Sequence, residues 1–156
     1  MDIVILGAGQ AAASMAAKLR GLGHAGPITL IGEEDAPPYQ RPPLSKAYLL
    51  GEMPVERLTL RGDDWWAEQG IRLLTGTRAT RIDRDSRTVD TTAGPIRYDQ
   101  LALTLGASPR RLPPAMGGDL GGVFTVRNLA NIRTAQPALT PGRRLVVIGG
   151  GYIGLE

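Results

Sequence analysis

Lys46 closes the stretch PPYQRPPLSK (residues 37–46), in which four of the ten residues are proline. It is one of two lysines in a chain that otherwise carries 16 arginines. An ammonium is a compact point charge on a flexible stem, whereas a guanidinium is a wide planar fork. In isolation the stretch reads as a turn-rich linker, and the part its terminal lysine plays depends on what the flanking sequence builds. Pro42 and Pro43 restrict the backbone ahead of Ser45, which reads as a helix cap, and so lower the entropy lost in holding Lys46 still.

A second set of residues carries chemistry in its spacing. Gly7, Gly9 and Ala12 in GAGQAA follow the pattern G-x-G-x-x-G/A directly after the apolar run IVIL. Gly7 permits a tight strand-to-helix turn, Gly9 lets backbone approach a pyrophosphate, and Ala12 lets the helix lie close to the sheet. The free N–H groups and positive dipole end of that helix then face the phosphates. Glu33 ends the next apolar run, about where an acid accepts hydrogen bonds from a ribose diol. The pattern recurs as Gly149, Gly151 and Gly154, again behind an apolar run. Two such turns in one chain point to two dinucleotides, and a flavin with a nicotinamide is the economical pair.

Several chemistries are closed to this segment. Without cysteine it has no disulfide, zinc–thiolate site, iron–sulfur ligation or thiol redox step. The single histidine, His24, supports no His-based metal site or triad and reads as a surface turn residue. The net charge of +3 comes from scattered arginines, which form a solvated surface or a docking face for an acidic partner. No basic helix or aromatic–basic motif suggests nucleic acid. No apolar run approaches the ~20 residues needed to cross a bilayer. The amino terminus enters a strand pattern at once, without the regions of a signal peptide. The expectation is a cytoplasmic protein with no membrane association.

The elements that must position these residues follow from pattern. DIVILG and PITLIGEE read as strands buried on both faces, as parallel sheets require. They flank an alanine-rich helix stopped by glycine, making a βαβ unit of about 30 residues. A short helix is expected from near Ser45, and another over DDWWAEQG with Asp63 or Asp64 as its cap. Trp65 and Trp66 adjoin, so at most one is deeply buried. From Ile71 to Gly106 short strands alternate with turns, as in a β-meander. The alternation of Ala79 and Arg81 against Thr80 and Ile82 is imperfect. Residues 107–122 shift to Pro, Gly and Arg and mark a domain boundary. Beyond it VFTVRNLANIRTAQPAL suggests a short strand and a helix, and RRLVVIGGGYIGLE a buried strand running into the second glycine turn.

In this order and at matching distances, VILGAGQAA, YQRPPLSKAYLLGE, YDQLALTLGASPRRLP, VRNLA and LVVIGGGYIGLE resemble the N-terminal part of the FAD-dependent NAD(P)H:ferredoxin reductases. That family serves bacterial cytochromes P450 and ring-hydroxylating dioxygenases, and the resemblance covers essentially the whole chain. RPPLSK joined to GGGYIGLE is shared with its near relatives, the rubredoxin reductases and apoptosis-inducing factor. The resemblance implies an α/β fold: a Rossmann-like three-layer FAD-binding domain, a parallel sheet plus a β-meander, over residues 1–111. The beginning of a second Rossmann-like, NAD(P)-binding domain would occupy residues 112–156. FAD and NAD(P)H are the implied cofactors and a 2Fe-2S ferredoxin the implied partner.

By the same resemblance, Gly7, Gly9, Ala11 and Ala12 lie over the FAD pyrophosphate and Glu33 at the adenosine ribose. Arg41, Pro42 and Lys46 fall on the phosphate and flavin side, with Lys46 the catalytic candidate that stabilises charge as flavin is reduced. Ala79 meets adenine through its backbone, and Gly106, Arg110 and Arg127 lie near FAD, with Arg127 the better placed of the two arginines. Gly149, Gly151, Gly154 and Glu156 match the start of the NAD(P) site. The chain departs from the family at Thr104-Leu105, where Ala-Thr is usual, and at Asn131, where a carboxylate is usual. A longer parent is implied, whose later segments complete both domains, so that residues 1–156 alone would bind FAD weakly or not at all. Rubredoxin as acceptor, a binding or signalling flavoprotein like apoptosis-inducing factor, and a nucleotide-free domain are the competing expectations.

Overall fold

A computed structural model describes all of residues 1–156. The chain divides into two compact units, residues 1–40 with 59–106 and residues 41–58 with 107–156. No helix is long and apolar enough to cross a membrane.

In the first unit, β1 (Ile3–Leu6), β2 (Ile28–Ile31), β3 (Ile71–Leu74) and β7 (Gln100–Leu103) form a parallel sheet in the order β3-β2-β1-β7. The register aligns Ile3 with Ile28 and Gln100, and Ile28 with Ile71. β1 and β2 are buried along their whole length, which explains why they read as unbroken apolar runs. α1 (Gln10–Gly21) packs Ala12, Ala13 and Ala16 with Ile3, Ile5, Ile28, Leu30 and Ile71. α2 (Asp63–Glu68) adds Trp66 to that cluster. A separate cluster joins Val4, Leu6 and Ile31 to Val89, Ala79 and Ile96 of the antiparallel sheet β4 (Ala79–Asp83), β5 (Thr88–Thr91) and β6 (Gly94–Arg97). The three layers expected from the sequence are present.

The meander is shorter than its sequence suggests. Only β4 to β6 form it, because β3 and β7 find open edges on the parallel sheet. The imperfect alternation near Ala79 is a register shift between Ala79 and Arg81. Trp66 is buried while Trp65 is only partly so, the two rings meeting edge to face at 4.9 Å. Neither Asp63 nor Asp64 caps α2; Gly62 holds that position and both acids lie in the first turn, where they complement the helix dipole. His24 is half-buried rather than a surface residue, with its Nε2 enclosed. Its turn is drawn in because the Arg20 guanidinium donates to the carbonyls of His24, Gly26, Gln69 and Gly70.

The second unit is built from turns and short helices. Pro42–Ser45 is one turn of 3₁₀ helix, Val55–Leu58 another, and α3 (Leu129–Ala135) and α4 (Tyr152–Leu155) are α-helical. Leu44, Tyr48, Leu58, Leu129, Ile132 and Ala135 are its buried apolar residues. The expected helix starting near Ser45 instead starts at Pro42 and ends at Ser45, because two prolines at its first positions pre-set φ for a single tight turn. The expected strands over residues 123–127 and 145–148 do not form. Leu145, Val146, Val147 and Ile148 are 67, 82, 54 and 72% exposed. A strand exists only through hydrogen bonds to neighbours, and no segment of residues 1–156 pairs with this one.

Candidate functional site

In the first unit, the chain leaves β1 into a turn at Gly7, whose φ is +108°. A Cβ there would collide with the Thr104 carbonyl, so both conformation and space demand glycine. The Gly7 N–H donates to the Ile31 carbonyl at 2.8 Å, and Thr104 seals the turn through its N–H and hydroxyl, both donating to the Leu6 carbonyl. Gly9 is the N-cap of α1, without a side-chain cap, and nothing lies within 4 Å of where its Cβ would be. The first N–H groups of α1 have no acceptor within the helix, and the space beside Gly9 is open. Ala12 is fully buried against the sheet and Ala11 is exposed. These residues fit an anionic diphosphate held by backbone donors.

Glu33 lies just beyond β2 with its side chain 67% exposed, and Arg78 Nη1 pairs with its Oε1 at 3.1 Å. Such an exposed pair is weak, so the carboxylate can accept a diol. Ala79 turns its side chain into the core behind the meander. Gly106 is exposed at the end of this unit. Tyr39, buried, donates its hydroxyl to Glu34 and bridges Thr59, anchoring the start of the proline stretch.

In the second unit, Arg41, Pro42, Leu44, Ser45, Lys46, Val126, Arg127, Ile153 and Glu156 line a cavity of about 260 Å³. Arg41 Nη1 donates to the Arg127 carbonyl at 2.8 Å. Lys46 Nζ pairs with Glu156 Oε1 at 2.7 Å, and the Ser45 hydroxyl donates to Glu156 Oε2 at 2.6 Å. The Lys46 hydrogen bond, then that of Ser45, holds the Glu156 carboxyl below the usual glutamate range. The hydroxyl expected to cap a helix thus fixes a carboxylate instead.

Gly149, with φ +119°, begins the second glycine turn, and Gly151 caps α4. A Cβ at Gly154 would collide with the Gly149 carbonyl. Arg110 is exposed and does not line the cavity. The ion pair of Arg78 with Glu33, the seal of Thr104 on the Gly7 turn and the pairing of Glu156 with Lys46 are not marked in the sequence. Each partner lies more than 40 residues from the group it touches, and no local spacing marks it.

The pyridine nucleotide-disulphide oxidoreductase family matches residues 1–156. The chain is 45% identical over 159 residues to rhodocoxin reductase of Rhodococcus erythropolis, covering 100% of this chain and 36% of that protein. It is 44% identical over 158 residues to putidaredoxin reductase of Pseudomonas putida, covering 99% and 37%. The crystal structure of the covalent putidaredoxin reductase–putidaredoxin complex matches with a TM-score of 0.91 at 43% identity, over 99% of this chain and 38% of that one. The chain therefore spans a little over a third of the length of these relatives.

Proposed function

Since the chain belongs to the pyridine nucleotide-disulphide oxidoreductase family, we propose that it works within an FAD-dependent NAD(P)H:ferredoxin oxidoreductase. In this reading residues 1–111 belong to the FAD-binding domain and residues 112–156 open the NAD(P)-binding domain. The observation that carries the proposal is Lys46 held by Glu156 at the wall of a cavity, in a chain with no cysteine. A dithiol acceptor is thereby closed to these residues, and the fixed Lys46 ammonium, beside Arg41 and Arg127 in the cavity wall, is able to meet negative charge.

FAD supplies the hydride-accepting and one-electron chemistry when bound. The chain's own residues bind and orient. Gly7, Gly9, Ala11 and Ala12 present the N–H groups at the start of α1 to the pyrophosphate, and Glu33 accepts the adenosine ribose hydroxyls. The Ala79 backbone meets adenine, and Gly106, Arg110 and Arg127 add contacts to FAD. Arg41 and Pro42 set the path of the loop, and Lys46 places positive charge at the flavin edge. Gly149, Gly151 and Gly154 start the nicotinamide-dinucleotide turn, with Glu156 orienting Lys46. A 2Fe-2S ferredoxin in the cytoplasm is the proposed electron acceptor. Two similar proteins are named as reductases of small redox partners, and one similar structure is a complex of such a pair. Surface arginines would steer an acidic ferredoxin, so its association should weaken with added salt.

Lys46→Met in the full-length reductase tests the reading. Stopped-flow flavin reduction by NAD(P)H should slow on the order of 10²-fold, the scale of losing one pre-positioned charge-stabilising donor, while bound FAD stays constant. An unchanged rate would reduce the loop to scaffolding.

A further inference from the structure

We propose that Gln136 is a positioning residue for Lys46, clasping the lysine loop onto α3. The inference rests on the role proposed for Lys46. Lys46 lies outside any helix, at φ −127° and ψ −121°, immediately after the 3₁₀ turn. The residues that follow form successive turns, with Leu50 N–H bonded to the Lys46 carbonyl and Gly51 N–H to the Tyr48 carbonyl, each at 3.1 Å. The Lys46 and Tyr48 N–H groups also donate to the Pro43 carbonyl, and those of Glu52 and Met53 to the Ala47 carbonyl; these bonds shape the loop from within, and a contact from outside ties it to α3.

Gln136 supplies that contact. Its Nε2 donates to the Tyr48 carbonyl at 3.1 Å and to the Leu49 carbonyl at 3.0 Å. One amide group thus engages two adjacent carbonyls, which constrains the orientation of the loop as well as its distance. The base of the amide is itself held. Gln136 is the C-cap of α3, its backbone N–H donates to the Ile132 carbonyl, and Pro137 follows. α3 buries Leu129, Ile132 and Ala135. At its start, Asn128 and Asn131 each accept from the other's backbone N–H, at 2.9 and 3.2 Å. Asparagine at 131 completes the capping box in place of a carboxylate.

At the other end of the loop, Arg41 reaches the Arg127 carbonyl. Residues 41–49 are therefore held at both ends by residues 127–136, and the Lys46 ammonium projects between the two holds to Glu156. A charge-stabilising group is useful only if the shell behind it fixes its position.

The titration of the Glu156 side-chain carboxyl, followed by carbon-13 NMR in the full chain, reads this position directly. Lys46→Met marks the value without the ammonium. Gln136→Met keeps the length of the side chain and removes both donors, and Gln136→Ala also removes its stem. In both, Glu156 should titrate higher than in the unmodified chain, toward its value in Lys46→Met. Ile132→Val trims the buried face of α3 and leaves the clasp, so it should lower stability without moving Glu156. Glu156 titrating in either Gln136 variant as it does in the unmodified chain overturns the proposal, as does an equal shift in Ile132→Val. Flavin reduction by the full-length reductase separates the two ideas. Glu156 moving in the Gln136 variants supports the clasp even where Lys46→Met leaves flavin reduction unchanged, a result that overturns only the role of Lys46.

Discussion

The two glycine turns are near copies in sequence and in backbone, yet they sit in different surroundings. Gly7 and Gly149 have φ of +108° and +119°, and Gly9 and Gly151 both cap the following helix in an extended conformation. Before Gly7 the chain is a strand with a parallel neighbour on each side and no residue more than 6% exposed. Before Gly149 an equally apolar run, Leu145 to Ile148, is unpaired and exposed. The turn thus forms from its own residues, since glycine reaches positive φ at little cost and the cap is made within a few positions. The strand does not, since each of its hydrogen bonds needs a partner elsewhere in the chain.

The widest gap between the two regions should appear at the apolar residues. Ile5→Ala removes a fully buried side chain and should destabilise the first unit by about 2–5 kcal/mol. Within residues 1–156, where Ile148 is exposed, Ile148→Ala should change stability by less than about 0.5 kcal/mol. Urea denaturation of both variants checks the pair, and a large loss at Ile148 would break the comparison by showing that residue to be buried.

A smaller gap is expected at the glycines themselves. Gly7→Ala combines a disfavoured φ with a collision against the Thr104 carbonyl and should cost about 2–4 kcal/mol. Gly149→Ala meets nothing within 4 Å. Its cost should be the backbone strain alone, about 1–2 kcal/mol, felt at α4. Thermal unfolding of each variant, with amide exchange at α4, separates the two effects.

The smallest effect is one of pH. Glu156, beyond the second turn, is tied to Lys46 and Ser45, and its carboxyl is held below the usual range by those bonds. A depressed carboxylate contributes order that is fully present above its unfolded value and is lost as pH falls through its folded value. Chemical shifts at Ser45, Lys46 and Glu156 should therefore change together on acidification, while those of β1 and α1 stay fixed. Separate midpoints for the three residues would show that they do not form one cluster.

Much of the first unit was legible in the sequence. Continuous apolar runs separated by a glycine turn and an alanine-rich helix read directly as βαβ, since burial on both faces and helix packing each impose a residue type. The meander was legible as strands and turns, but the allegiance of β3 and β7 was not. A short apolar strand carries no mark of which sheet it joins. Around Lys46 the proline loop was legible as stiff, whereas the hydroxyl of Ser45 was misjudged because its carboxylate partner lies 111 residues away.

The sequence by itself determined the glycine turns, the rigid loop ending in Lys46 and the absence of thiol chemistry. These depend on φ preferences and residue types acting over a few positions. Only the tertiary structure decided that Thr104 closes the first turn, and that Glu156 and Gln136 meet the lysine loop. Those outcomes depend on hydrogen-bond partners and buried contacts between residues distant in the chain, which no local pattern specifies.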